Sequence, residues 1–85
     1  MSMIMQLIQA VGVAERQIEQ QSSQLTAYKG QIDQVINQVQ AAFGGSNDQY
    51  GNQMIQQLQV TKNQIDETLN RLNLAKEKLT QVRTI

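Results

Sequence analysis

Apolar residues recur at alternating three- and four-residue steps along nearly the whole chain, and the pattern is interrupted once, at Phe43-Gly44-Gly45-Ser46-Asn47-Asp48. That spacing is the period of a helix seam. Inside the interruption, two consecutive glycines remove the steric penalty on positive φ, so a helix can end there in a left-handed turn. Ser46-Asn47-Asp48-Gln49 then supplies a fresh start: Ser46 and Gln49 have the spacing of a capping box, and Asn47 and Asp48 are alternative N-caps. The pattern predicts an all-α fold, an antiparallel two-helix hairpin in one domain over 1–85. The first helix covers about 3–42, the turn 43–48 and the second helix about 49–83.

Written as heptads, the first helix places Ile4, Val11, Ile18, Leu25, Ile32 and Val39 at a, and Leu7, Ala14, Gln21, Tyr28, Val35 and Ala42 at d. Of these only Gln21 is neither apolar nor amphipathic. The second helix places Gly51, Leu58, Ile65, Leu72 and Leu79 at a, and Met54, Thr61, Thr68, Ala75 and Val82 at d. At 1.5 Å per residue the first helix is roughly 60 Å long. A short turn makes the helices antiparallel, and simple hairpin symmetry sets residue i opposite roughly 92 − i. Gln21 then lies near Thr68 and Leu72, where it either adds a polar layer or points to solvent. Gly12 and Gly30 each cost about 1 kcal/mol against Ala in a helix interior; close approach of a partner, a local bend or simple tolerance all account for them.

The apolar surface is wider than one seam requires. Ile8, Ile36 and Phe43 lie beside the first seam, Ile55 and Leu69 beside the second, and Val13, Val60 and Leu74 elsewhere. Two helices alone bury one stripe each, so a second stripe stays wet in a monomer. The expected solution is a partner that completes a four-helix bundle, another copy or a related hairpin. The helix–helix interface is expected to draw on Ile4, Leu7, Val11, Ile18, Leu25, Tyr28, Ile32, Val35, Ile36 and Val39 from the first helix. From the second it draws on Met54, Ile55, Leu58, Ile65, Leu69, Leu72 and Leu79.

Composition removes several function classes. Seven basic and seven acidic residues balance to a net charge of zero, which is no footprint for nucleic acid or an anionic membrane. With no His and no Cys, a histidine base, a cysteine nucleophile and the usual zinc sites are excluded, and no enzyme or cofactor is expected. The acidic residues are scattered among bases; Glu15 and Glu19 with Arg16 alongside read as a solvated face. Gly44-Gly45-Ser46 has no Gly-Lys-Ser/Thr after it and no strand before it, so it is no phosphate loop. Gln is about one residue in five, a good uncharged helix former suited to long exposed faces. The apolar-leaning stretch from Met1 to Val13 lacks the basic start of a secretory signal and is far shorter than the ~20 apolar residues of a membrane span. It is read as the first turns of an amphipathic helix, with no membrane insertion and no conventional signal peptide.

Two long amphipathic helices in a chain of this size, joined by an aromatic-x-Gly turn, resemble the WXG (ESAT-like) proteins of bacterial type VII secretion. Phe43-Gly44-Gly45 stands where that family has Trp-x-Gly, Phe43 for the tryptophan and Gly45 for the glycine, and the likeness spans essentially the whole chain. The family's Tyr-x-x-x-Asp/Glu export signal is missing: Tyr28 is followed four residues later by Ile32, Tyr50 by Met54 and Phe43 by Asn47, and the chain ends Val82-Arg83-Thr84-Ile85. The resemblance implies hairpins that pair head to tail, one member carrying the export signal for both. A member without it is similar to the small companions that bind the N-terminal helical domain of LXG-type toxins. It acts as co-secreted partner or chaperone, its bundle presenting a composite signal to the secretion ATPase. The protein is then made in the cytoplasm and reaches the cell envelope or exterior.

A second class fits the same pattern: a filament subunit or coiled-coil adaptor, such as a needle-like secretion component. That type polymerises and usually has a proline-bearing turn, and this chain contains no proline. A third, a helical segment of a larger scaffold, is less favoured by the complete start and the capped turn.

Overall fold

A computed structural model describes residues 2–43 and 49–84. It is an all-helical hairpin: α1 spans Met3–Phe43 and α2 spans Gln49–Arg83. The expected cap residues Ser46, Asn47 and Asp48, and the turn glycines Gly44 and Gly45, lie outside the described residues; Gln49 is the first residue of α2. The start of α1 has a cap of its own. Ser2 Oγ accepts the amide N–H of Met5 at 3.2 Å and its carbonyl accepts that of Gln6, two of the donors a helix start leaves unpaired. Thr26, Thr61 and Thr68, poor helix formers, turn their hydroxyls back onto the carbonyls of Ser22, Gln57 and Gln64, which satisfies them without breaking the helix.

Ion pairs across the two helices report the register. Lys29 meets Asp66 at 2.6 Å, Lys76 meets Glu19 at 2.7 Å, and Lys62 meets Asp33. Residue i therefore lies opposite about 95 − i, three residues beyond the symmetric expectation of 92 − i. The contact of Phe43 with Gly51 keeps nearly the same offset, the first turn of α2 running past the end of α1.

The seam between the helices also differs from the a/d heptad. Its buried apolar side chains are Val11, Ile32, Val39 and Ile65 at a and Ile36 at e. Leu25, Leu58, Ile55 and Leu69 pack around the Ile32–Ile36–Ile65 cluster, again at a or e. The residues that looked like surplus beside the seam (Ile36, Phe43, Ile55, Leu69) are part of it, and most d positions are exposed. Physical chemistry favours this choice. Near the turn e supplies Ile36, Phe43, Ile55 and Leu69 where d supplies Val35, Ala42, Met54 and Thr68, so there an a/e seam removes more apolar surface from water; farther from the turn the e positions carry the charges that pair across the helices.

Two consequences matter for function. The hairpin is a thin rod of 66 × 15 × 14 Å in which no described side chain falls below 2% exposure, so its own core is slight. With i opposite 95 − i, Thr84 reaches the level of Val11, and burial on α1 begins there; residues 3–10 run on as a single exposed helix. No helix among the described residues is long and apolar enough to cross a membrane.

Candidate helix-pairing surface

A residue in an α-helix turns about 100° from the one before, so b positions fall some 80° to one side of an a/e seam and d positions some 80° to the other. In an antiparallel pair the two b rows share one face and the two d rows share the opposite face. The hairpin has sorted its chemistry by this rule.

The b/e face carries the charge. Besides the three ion pairs that report the register, Arg83 Nε donates to Glu15 Oε1 at 2.9 Å and Thr80 Oγ1 donates to Glu15 Oε2 at 3.1 Å. Glu15 is buried, only 9% exposed, which corrects its reading as part of a solvated face. A carboxylate is retained at that depth because α2 brings both an arginine and a hydroxyl to it. Glu19 stays near the surface, and the hydrogen bond and charge of Lys76 hold its carboxyl below the usual value of 4.5.

The d face is the opposite in character. The register sets Ala14 beside Val82, Gln21 beside Ala75, Tyr28 beside Thr68, Val35 beside Thr61 and Ala42 beside Met54, with Leu7 alone on the overhang. None of these residues carries a charge. Leu7, Tyr28, Val35, Met54 and Val82 are all exposed, between 41% and 55%. Midway along, Gln21, Gln24, Leu25, Tyr28, Thr68 and Leu72 line one shallow depression. The neighbourhood of Gln21 with Thr68 and Leu72 is as expected. Gln21 is exposed at the edge of that depression and does not cross between the helices.

The expected interface residues thus divide. Val11, Ile18, Leu25, Ile32, Ile36, Val39, Ile55, Leu58, Ile65, Leu69, Leu72 and Leu79 are buried or half-buried within the hairpin. Ile4, Leu7, Tyr28, Val35 and Met54 are exposed: Ile4 and Leu7 on the overhang, the others on the open d face. Phe43 is half-buried, and its ring rests on Gly51, where an added Cβ would come within 3.0 Å of Cγ and Cδ2. Gly51 as the seat of the ring, Ser2 as a cap and Glu15 as a buried clamp were not singled out by sequence. A Ser three residues before Met5, and an acid and a base at the far ends of paired helices, were the available signals.

A Cβ added at Gly12 or Gly30 would meet nothing within 4 Å, which agrees with simple tolerance inside the hairpin. Among the described residues no three His, Cys, Asp or Glu gather as a metal group. No protein-family model matches the chain, and no curated protein or solved structure matches it.

Proposed function

We propose that this protein works by completing a helical bundle, without catalysis, as a substrate or co-secreted partner of a type VII secretion system. The observation that carries the reading is the uncharged, exposed d face of a hairpin whose own core is slight. An uncharged stripe that leaves Leu7, Tyr28, Val35, Met54 and Val82 exposed on so thin a rod supports an association surface, since monomeric soluble proteins rarely leave extended apolar patches in water. The partner is a second copy or a related hairpin such as the N-terminal helical domain of an LXG-type toxin. The secretion assignment rests on the resemblance of Phe43-x-Gly45 between two long helices to the Trp-x-Gly hairpins. It is supported by Phe43 packing at the end of the hairpin, where an aromatic of that kind would sit.

Light scattering of the purified protein over a hundredfold concentration range tests bundle completion. A stable dimer, or a monomer that becomes one-to-one and strongly helical when co-expressed with a candidate toxin domain, is the expected result. A well-folded monomer that pairs with neither counts against it, and growth past the dimer would transfer the reading to a filament subunit. The secretion assignment is tested separately, by whether deleting the gene abolishes export of its co-encoded partner.

A further inference from the structure

Residues 3–10 of α1 run on past the end of α2 as about 12 Å of single helix. Ile4 and Ile8 are exposed there at 70% and 42%, and the first charged residue is Glu15. With the buried Val11 they fall within about 60° of arc, so the two isoleucines carry the a/e seam onward after α2 has stopped covering it. On that side the overhang is a ledge, recessed behind the end of α2 by the spacing of two packed helices, about 8–10 Å. A flat surface laid along the rod is held off by α2, whereas two turns of helix continuing the line of α2 fit the ledge. We propose that the occupant is the overhang of a second copy. Two hairpins then meet open end to open end in a lap joint, with Ile4 of each packing on Ile8 of the other.

Three features of the molecule favour this occupant. The first is shape. The overhang and the ledge beside it have the same length, so a half-turn across the rod seats each overhang in the other copy's ledge. The second is continuity with the seam inside the hairpin. Setting residue i against 12 − i brings both isoleucine pairs together and matches a to e, as the hairpin itself does where Phe43 at e meets Gly51 at a. In that register Ser2 of one copy stops just short of Thr84 of the other, so the helices abut without overlapping. The third is electrostatic. α1 of one copy starts in line with the end of α2 of the other, its unpaired N–H end facing an unpaired carbonyl end. Residues 3–14 carry no charge to oppose the approach.

Two turns of helix bury less than the ≈ 800 Å² per partner of a standard interface, so the joint is a weak contact that forms as concentration rises. It uses the seam face and not the d face, and it does not rest on the bundle reading. It does extend the surface on which that reading depends. The dyad stands perpendicular to the d face, so the d rows of both copies lie on one side, with the two Leu7 side chains near the middle. Joined, they make one uncharged surface about 120 Å long.

Ile4 and Ile8 are exposed in the hairpin, so replacing them leaves its fold intact. The chain contains no cysteine, so introduced thiols report the pairing without background. Mixed Ile4→Cys and Ile8→Cys variants should form a disulfide-linked dimer under mild oxidation, faster than either variant alone. Small-angle scattering of the wild type should show the particle lengthen from 66 Å toward about 120 Å as concentration rises. Ile8→Glu should hold it at the shorter length with helicity unchanged. Pairing through the d face keeps the length near that of one hairpin, so the two contacts are read apart. Either cysteine variant linking faster to itself would place the overhangs in another register and overturn the Ile4–Ile8 pairing. Association that survives Ile8→Glu runs through another surface, which overturns the joint and leaves the bundle reading standing. Thiols that never link and a rod that never lengthens overturn the second copy as occupant of the ledge.

Discussion

The ring of Phe43 lies against the backbone of Gly51, with its Cγ and Cδ2 only 3.0 Å from where a Cβ would stand. Close approach favours glycine here, and the α2 helix carries the usual cost of glycine where α1 ends on an aromatic. Gly51→Ala and Gly30→Ala should therefore behave oppositely. At Gly30 the added methyl meets open space, and the better helix former should stabilise by about 1 kcal/mol. At Gly51 the same gain is offset by a clash of the overpacking kind, about 1–3 kcal/mol, so the variant should be neutral or less stable. Urea midpoints of the two variants settle it; equal stabilisation at both positions would mean the ring does not rest where it is placed.

Phe43→Ala removes the same contact from the other side. Complete burial would make the loss about 3–5 kcal/mol, and a half-buried ring should lose roughly half of that in the isolated hairpin. A loss below about half a kcal/mol in chemical denaturation would reduce Phe43 to a bystander and remove the turn from the functional comparison. A loss that grows with protein concentration would place the ring in the association interface as well.

The hairpin was legible because helix period and turn chemistry are local. The seam was less so. Ile36, Phe43, Ile55 and Leu69 sit one helical step from the a positions, and periodicity alone cannot say whether d or e joins a in facing the other helix. That choice depends on register, and register depends on Phe43 meeting Gly51 and on which charges meet across the helices. Lys29 with Asp66 and Asp33 with Lys62 are reciprocal pairs that become visible only once the offset is known. The open face was anticipated as an excess of apolar surface, but its members changed places: Tyr28, Val35 and Met54 moved out to it while Ile36 moved in.

Glu15 joins the free end of α2 to α1 through Arg83 and Thr80. Replacing it by Ala leaves two donors without their acceptor and should cost about 1.5–3 kcal/mol, the range for hydrogen bonds to a charged group. The loss should also be local. Amide hydrogen exchange near Thr80 and Arg83 should accelerate more than exchange around Ile65, since the end of α2 would fray before the core opens. Uniform acceleration along both helices would show that Glu15 supports the whole hairpin and not its end.

Glu19 gives the hairpin an acid-sensitive contact. Lys76 holds its carboxyl below 4.5 in the folded state, while the unfolded chain keeps the ordinary value. The unfolded state therefore binds the proton more readily, and the pair's contribution is complete above about pH 4.5 and lost as pH falls through the folded-state value. Because the pair is open to solvent, salt should weaken it as acid does. Thermal midpoints of the wild type and Glu19→Gln should differ modestly at neutral pH and low salt. The difference should close both below pH 4.5 and at high ionic strength. If the gap persisted in acid, the stabilisation would come from packing of the Lys76 stem along α1 and not from charge, and Lys76→Met, which keeps the stem, would then retain it.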